Sequence, residues 1–316
     1  MSQMKTNSLS TRLIGVALFF STLLAGCGNN SSKKNTDSAH LQFTLGVMAS
    51  VDYLPFAVAL DKGIYDSLGL DLRIEPFFSP VERDAALQGG TLDGTVTDYT
   101  SAALLSASGF PLLVDMKCDG AFRLIVGRDK PITSIQDLKG KKLALSSNTV
   151  IEYTTDKLLE QAGIDPAEVE KVEIAKIPLR MEMLQSGEVD AAVLPEPFAS
   201  MAIEKGLVAL ISTKDLDIEL TGIAVTREVA QKSAVMDLLH QGYNLGVEYM
   251  KQHPRTEWVK VLVETLGVSE EVALSMVIPD FTQVASPRSQ DLADMNAWLK
   301  AKKLVEESYS ESQLLR

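Results

Sequence analysis

From Phe43 onward the chain alternates between two hydrophobic periods. Phe43–Met48 is a short β-type run, and Leu54–Lys62 carries apolar residues at helical spacing before Gly63 ends it. Leu70–Pro76 is strand-like again. Ser79-Pro80-Val81-Glu82 opens the next helix as a capping box with proline in the first turn, and Gly89-Gly90 closes it. Leu92–Thr97 forms a further strand, Asp98 caps a small-residue helix to Ser108, and Pro111–Met116 is strand-like. A second series starts with the strand Phe122–Gly127. Ser134-Ile135-Gln136-Asp137 caps a brief helix before Gly140, and Lys142–Leu145 is a strand. Thr149-Val150-Ile151-Glu152 is another capping box, after which Thr155, Leu158, Leu159 and Ala162 share one face. Asp165-Pro166-Ala167-Glu168 starts a short helical turn. Val172–Ala175, a helix over Leu179–Gln185 and Val189–Leu194 continue the alternation.

Repeated strand-helix units of this length predict parallel sheets covered by helices, an α/β fold. From Arg227 the pattern turns helical, with Val235, Leu238 and Leu239 on one face, then Trp258, Val261 and Leu262, then Leu292, Met295 and Leu299. Both tryptophans, Trp258 and Trp298, fall on apolar faces and read as core. The expectation is a two-lobed molecule. Residues 43–126 and 221–316 form the first lobe, 127–220 the second, the strands Phe122–Gly127 and Leu220–Thr226 join them, and the tail helices pack on the first lobe. No short internal repeat or low-complexity block stands out along the sequence.

The N-terminus changes the picture. Lys5 and Arg12 form a basic flank, Leu13–Ala25 is apolar, and Leu24-Ala25-Gly26-Cys27 closes the segment. That stretch is too short to cross about 30 Å of hydrocarbon comfortably. Its flanks fit a signal peptide over residues 1–27. The cysteine after Leu-Ala-Gly resembles the bacterial lipobox, which implies that Cys27 is lipidated and anchors the protein to the cell membrane, facing the periplasm or exterior. Residues 28–42 are polar and read as a flexible tether.

Loss of Lys5 and Arg12 takes the formal charge from −12 to −14. Such acidity argues against nucleic acid or an anionic bilayer surface as a partner. Cys118 is the other cysteine, so with Cys27 lipidated no intramolecular disulfide forms. It reads as a small buried hydrophobe. His40, His240 and His253 are scattered, which leaves no metal-ligand cluster and no implied cofactor.

Four elements carry a family resemblance. They are Val58-Ala59-Leu60-Asp61-Lys62-Gly63-Ile64-Tyr65 with Leu68-Gly69-Leu70, then Leu87-Gln88-Gly89-Gly90-Thr91-Leu92-Asp93. Next come Asp137-Leu138-Lys139-Gly140-Lys141-Lys142, and Gly187-Glu188-Val189-Asp190-Ala191-Ala192 with Glu196-Pro197. In this order, behind a lipobox, they resemble the nitrate/sulfonate/taurine-type group of ABC transporter substrate-binding proteins, which includes binders of thiamine pyrimidine precursors. The likeness runs from Phe43 to Ile211. It implies a periplasmic-binding-protein fold of type II with a hinge and a monomer. It also implies a small polar or heteroaromatic solute held between the lobes and delivery to permease and ATPase subunits, with no catalysis.

Ligands of open parallel sheets sit at strand carboxyl ends and helix N-termini. Those loops supply the candidate contacts Asp52, Tyr53, Asp98, Tyr99, Asp119, Ser147, Asn148, Thr149 and Glu196, with Arg180 as a weaker one. Asp98 serves equally as a plain N-cap, and Glu152 reads as a cap rather than a contact. Tyr53 and Tyr99 either cover a lobe edge or sandwich a flat ligand. Arg180 reads as a solvated first-turn residue unless an anion lies nearby. Glu196, between two prolines, is presented with little freedom and is the principal candidate. The candidate loops carry Asp52, Asp98, Asp119 and Glu196 against Lys117 and Arg180, which points to an amine-bearing or amidine-like heteroaromatic solute rather than nitrate or a simple sulfonate.

The alternative is an enzyme on the same fold. A thiamine pyrimidine synthase would need a cysteine-rich iron-binding motif, absent here, and the related menaquinone-pathway lyases are cytosolic and lack a lipobox. None of the histidines stands in a strand-end loop, and there is no Gly-x-Ser-x-Gly elbow.

Overall fold

The computed structural model describes residues 41–315. The expected signal peptide with Cys27, and the tether as far as residue 40, lie outside the described residues. Ten strands occur: β1 (Leu41–Met48), β2 (Leu70–Phe77), β3 (Gly94–Asp98), β4 (Leu112–Cys118), β5 (Phe122–Val126), β6 (Lys142–Leu145), β7 (Glu170–Glu173), β8 (Ala191–Pro195), β9 (Val208–Ser212) and β10 (Thr221–Thr226). The helices are α1 (Leu54–Asp61), α2 (Ile64–Leu68), α3 (Pro80–Gln88), α4 (Tyr99–Ala107), α5 (Val150–Gln161), α6 (Ile177–Ser186), α7 (Phe198–Glu204), α8 (Arg227–Ala230), α9 (Ser233–Gln252), α10 (Val259–Leu266), α11 (Glu270–Ser275) and α12 (Ser289–Ala301).

The strands form two mixed sheets, ordered β2-β1-β3-β10-β4 and β7-β6-β8-β5-β9. β1 pairs in parallel with β2 and β3, whereas β10 runs antiparallel between β3 and β4. The second sheet repeats this plan, with β6 parallel to β7 and β8 and with β5 antiparallel between β8 and β9. The chain passes from the first sheet to the second between Cys118 and Phe122, and returns between Ser212 and Thr221. Each lobe is thus a sheet with helices on both faces.

The copying extends to the sequence, where the expectation of no internal repeat is corrected. Arg83, Leu87, Gln88, Gly90, Asp93 and Val96 recur at identical spacing as Arg180, Leu184, Gln185, Gly187, Asp190 and Val193. Structure explains several of these recurrences. Gly90 and Gly187 end their helices in the left-handed region, at φ 73° and 79°. The Asp93 carboxylate accepts from the Thr44 amide and the Asp190 carboxylate from the Lys142 amide, each at 2.9 Å, tying the loop to the neighbouring strand. The repeat is faint in sequence because the residues between these anchors have diverged.

Local signals hold at most helix starts. Ser79 accepts from the Glu82 amide, Asp98 from Ser101, and Thr149 from Ile151. The box expected at Thr149 is displaced by one residue, since Glu152 takes the Asn148 amide at 2.8 Å. Pro178 falls in the first turn of α6, which starts that helix earlier than expected, at Ile177. α7 and β9 were not expected; Pro197 and Gly206 interrupt a stretch whose period is hard to read.

One core lies under α1, α2 and α9–α11 on the first sheet and includes Trp258. A second fills the space under α6 and α7 on the second sheet. The third is continuous across both sheets, running through α4, α5 and α12 with Trp298. The tail therefore packs on the first lobe with one refinement: α12 also reaches α5 of the second. There Trp298 Nε1 donates to Asp156 at 3.0 Å, and Lys302 Nζ lies 2.5 Å from Glu152. Among the described residues no helix is long and apolar enough to cross a membrane, and no group of acidic, histidine or cysteine side chains could hold a metal ion.

Candidate functional site

A small cavity of about 60 Å³ lies where strand ends of the two sheets meet. The first sheet contributes Ser50 and Asp52 after β1, Arg83 near the start of α3, and Thr97 and Asp98 at the end of β3. The second contributes Ser146 after β6, Thr149 and Ile151 at the start of α5, Arg180 near the start of α6, and Pro195 at the end of β8. Thr221, where the chain returns to the first sheet, completes the wall.

Arg83 and Arg180 face this cavity from equivalent positions. Arg83 Nη1 donates to the Val96 carbonyl at 3.5 Å, and Arg180 Nη1 to the Val193 carbonyl at 3.2 Å. Arg180, expected to be solvated, is fully buried; this corrects the sequence reading. Its fold compensates for burial through neutral acceptors: Nε and Nη2 donate to the Ile174 carbonyl at 3.2 and 3.0 Å, and Nη2 also to Ser146 Oγ. With no carboxylate paired to it, burial pushes its pKa down to about 10. Arg83 instead has carboxylates beside it. Nε donates to Asp84 at 2.9 Å, and Nη2 lies 2.8 Å from Asp84 and 3.9 Å from Asp98.

Beside Arg83, whose Nη2 is taken up by Asp84, Thr97 Oγ1 in the cavity wall has no hydrogen-bond partner, on a side chain 4% exposed. Buried polar groups are nearly always satisfied, so such an orphan in a cavity marks a place for a ligand's polar atom. Asp52 lies in the same wall, its carboxylate accepting from Ser50 Oγ. Burial pushes the Asp52 carboxyl above the ordinary carboxylate range, partly offset by Ser50 and by the more distant Arg83 charge.

Of the sequence candidates, Asp52, Asp98, Thr149 and Arg180 line the cavity. Asp98 is first of all a cap, accepting from the Ser101 amide at 2.8 Å and Ser101 Oγ at 2.9 Å. The others point elsewhere. Tyr53 OH donates to the Thr265 carbonyl at 3.2 Å, toward α10. Tyr99 is buried between α4 and α5 beside Tyr153. Asp119 accepts from Lys117 at 2.6 Å and from the Thr282 amide at 2.8 Å, pinning the tail. The Ser147 amide donates to Glu173 at 2.7 Å, and the Asn148 amide is held by Glu152. Glu196 is fully buried beneath the wall: it accepts from the Ser200 amide at 3.0 Å and lies 3.4 Å from Arg123 Nε, while Pro195 takes the wall position. Burial raises its pKa.

Sequence reading places Ser50, Thr97 and Ser146 in candidate strand-end loops without choosing them as contacts, and misses Arg83 and Thr221 as wall residues. Arg83 was findable, because the recurrence linking it to Arg180 marks two structurally equivalent arginines. The hydroxyl residues offered no comparable signal.

A family model described as NMT1/THI5 like matches residues 50–257. A putative aliphatic sulfonates-binding protein of Escherichia coli strain K12 is 24% identical over 196 residues, 60% of this chain. The chain spans 60% of that curated relative's length. Solved structures share the fold. The periplasmic aliphatic sulphonate binding protein of Escherichia coli superposes with a TM-score of 0.75 at 18% identity, covering 87% of this chain and 97% of that one. The alkanesulfonate-binding protein from Xanthomonas axonopodis pv. citri bound to MOPS gives 0.73 at 16% identity, over 87% and 98%. The architecture is thus that of periplasmic binding proteins, as the α/β two-lobed expectation had it.

Proposed function

The chain belongs to the NMT1/THI5-like family, and on that premise we propose that it is the solute-binding component of an ABC importer. It captures a small polar or heteroaromatic solute between its lobes and hands it to permease and ATPase subunits. Cys27 carries a lipid that anchors it outside the cytoplasm, and the protein acts as a monomer with no chemistry of its own.

The observation that carries this reading is a cavity walled by strand ends of both sheets, in which the buried Thr97 Oγ1 has no hydrogen-bond partner. A solute bridging the walls satisfies this atom and contacts both lobes, so its binding favours whichever lobe arrangement lets it do both. The relatives, described as sulfonate-binding proteins, support the same class of role.

A thermal-shift screen of the purified domain against a broad solute library tests it. The expected result is one solute that stabilises the protein by about 2.7 kcal/mol at a hundredfold excess over its dissociation constant, with a smaller radius of gyration in solution scattering. No stabilisation together with turnover in a lyase assay overturns it. The anchor is read separately: a fatty-acid label should be incorporated by the parent chain and absent from Cys27→Ser, and label retained on the variant refutes lipidation there.

A further inference from the structure

We propose that Asp52 selects a solute bearing a protonated nitrogen and that it gives up a proton to solvent as that solute enters. This inference rests on the solute-binding reading and deepens it.

The geometry isolates Asp52. It lies in the cavity wall, 5% exposed, and its hydrogen bonds come from uncharged groups: Ser50 Oγ, the Thr221 hydroxyl and its own backbone amide. No ion pair joins it to a described cation. The charged and titratable groups around it come from several elements: Tyr53 beside it, Arg83 of α3, Cys118 of β4 and Tyr243 of α9. Burial raises the pKa of Tyr53, Cys118 and Tyr243, so they stay neutral. Arg83 carries charge but is committed to Asp84, with Asp98 at 3.9 Å. Across the cavity Arg180 is taken up by two backbone carbonyls and Ser146. A carboxylate in such a place has no counter-ion of its own, and a buried charge is tolerated only when paired.

The empty site therefore holds Asp52 as the neutral acid, in keeping with the upward push that burial gives it. An entering ammonium or amidinium supplies the missing cation. The O–H bond of Asp52 then breaks, its proton passes to water, and the carboxylate accepts a charge-assisted hydrogen bond from the solute's N–H. Charge and protons balance, with one cation in and one proton out. The orphaned Thr97 Oγ1 adds a polar contact for the same solute. An anionic solute reverses the logic, because it meets Asp52 best as a neutral donor and releases no proton.

Four probes in two shape-matched pairs test this: benzamidine against benzamide, and 2-aminoethanesulfonate against ethanesulfonate. The cationic member of at least one pair should bind more tightly than its partner, and calorimetry in two buffers of different ionisation enthalpy should show proton release near neutral pH. Asp52→Asn should weaken that member by about tenfold to a hundredfold, the loss of one charge-assisted bond, and should abolish the proton release. Asp52→Ser repeats the measurement should the first variant fold poorly, and melting of each solute-free variant reports folding. Equal affinity within both pairs, affinity unchanged in the variants, or binding without proton release overturns the proposal and leaves the solute-binding reading standing. No binding by any of the four overturns the amine selectivity, whereas the solute-binding reading falls only to the library screen and lyase assay described above.

Discussion

The two lobes are built to one plan and differ in how they handle the same buried arginine. Arg83 in the first lobe is followed by Asp84 and lies near Asp98, so its charge is matched by carboxylates. Arg180 in the second is followed by Met181 and is held by backbone carbonyls and the Ser146 hydroxyl, with no carboxylate paired to it. The shared bond, guanidinium to the carbonyl of the strand that ends at the cavity, is the part both lobes need. It fixes the strand end against the helix start. The charge around that bond was free to diverge, and it leaves the first lobe's wall acidic and the second lobe's wall cationic. A strut and a ligand wall are thus combined in one residue type, and only the neighbours decide the electrostatics.

Removing the struts should break the comparison most strongly. Arg83→Met strands the buried carboxylate of Asp98 and costs about 3 kcal/mol, whereas Arg180→Met leaves neutral carbonyls unsatisfied and costs about 2 kcal/mol. Urea denaturation of both variants checks the order; an equal or reversed cost means that charge matching is not what separates the lobes. Gly90→Ala and Gly187→Ala should each cost about 1 kcal/mol, because both positions need the left-handed backbone. Thermal melting that finds one free and the other costly removes the claim that the repeat is structural.

Protonation sharpens the contrast at smaller amplitude. The first lobe's Asp52 has its pKa raised by burial. The folded state therefore holds that proton more tightly than the unfolded chain. Its stabilising contribution is full below the ordinary value near 3.8 and is lost as pH climbs through the raised folded value. Asp52→Asn should thus raise the melting temperature of the solute-free protein at neutral pH and have little effect in acid. The second lobe's Glu152 is the opposite case. Burial alone would raise its pKa, yet the Asn148 amide, Lys302 and Lys171 outweigh it and hold the carboxyl below its usual range. Its contribution is present at neutral pH and lost as pH falls through that depressed value, so Glu152→Gln should destabilise at neutral pH and progressively less in acid. Melting curves across pH read both, and parallel profiles for the two variants contradict this assignment.

Much of the fold was legible because its signals are local. Ser79, Asp98 and Thr149 announce helix starts through their own side chains, and strand runs such as Phe122–Val126 are apolar enough to read directly. The site was legible only in part. The strand-end rule found Asp52, Asp98, Thr149 and Arg180, but it cannot say which way a loop side chain turns. Tyr53 and Asp119 sit in such loops and serve tertiary contacts to Thr265 and Thr282 that only the folded tail supplies. Glu196 shows the same limit: its two prolines fix the backbone, yet Arg123 and Ser200 draw the carboxylate beneath the wall. Burial of Arg180 was unreadable because its acceptors are backbone carbonyls, which leave no mark on the sequence.

The placing of β10 between β3 and β4 in the first sheet dictates an order of assembly. All five strands of the second sheet fall within residues 122–212, so that lobe can close as soon as its own stretch of chain has emerged. The first lobe begins earlier, with β1, yet its sheet has a gap between β3 and β4 until β10 arrives. Until then both strands present unpaired edges, the surfaces most prone to wrong partners. The lobe made first is therefore finished last, and a growing chain must keep those edges guarded through the whole synthesis of the other lobe.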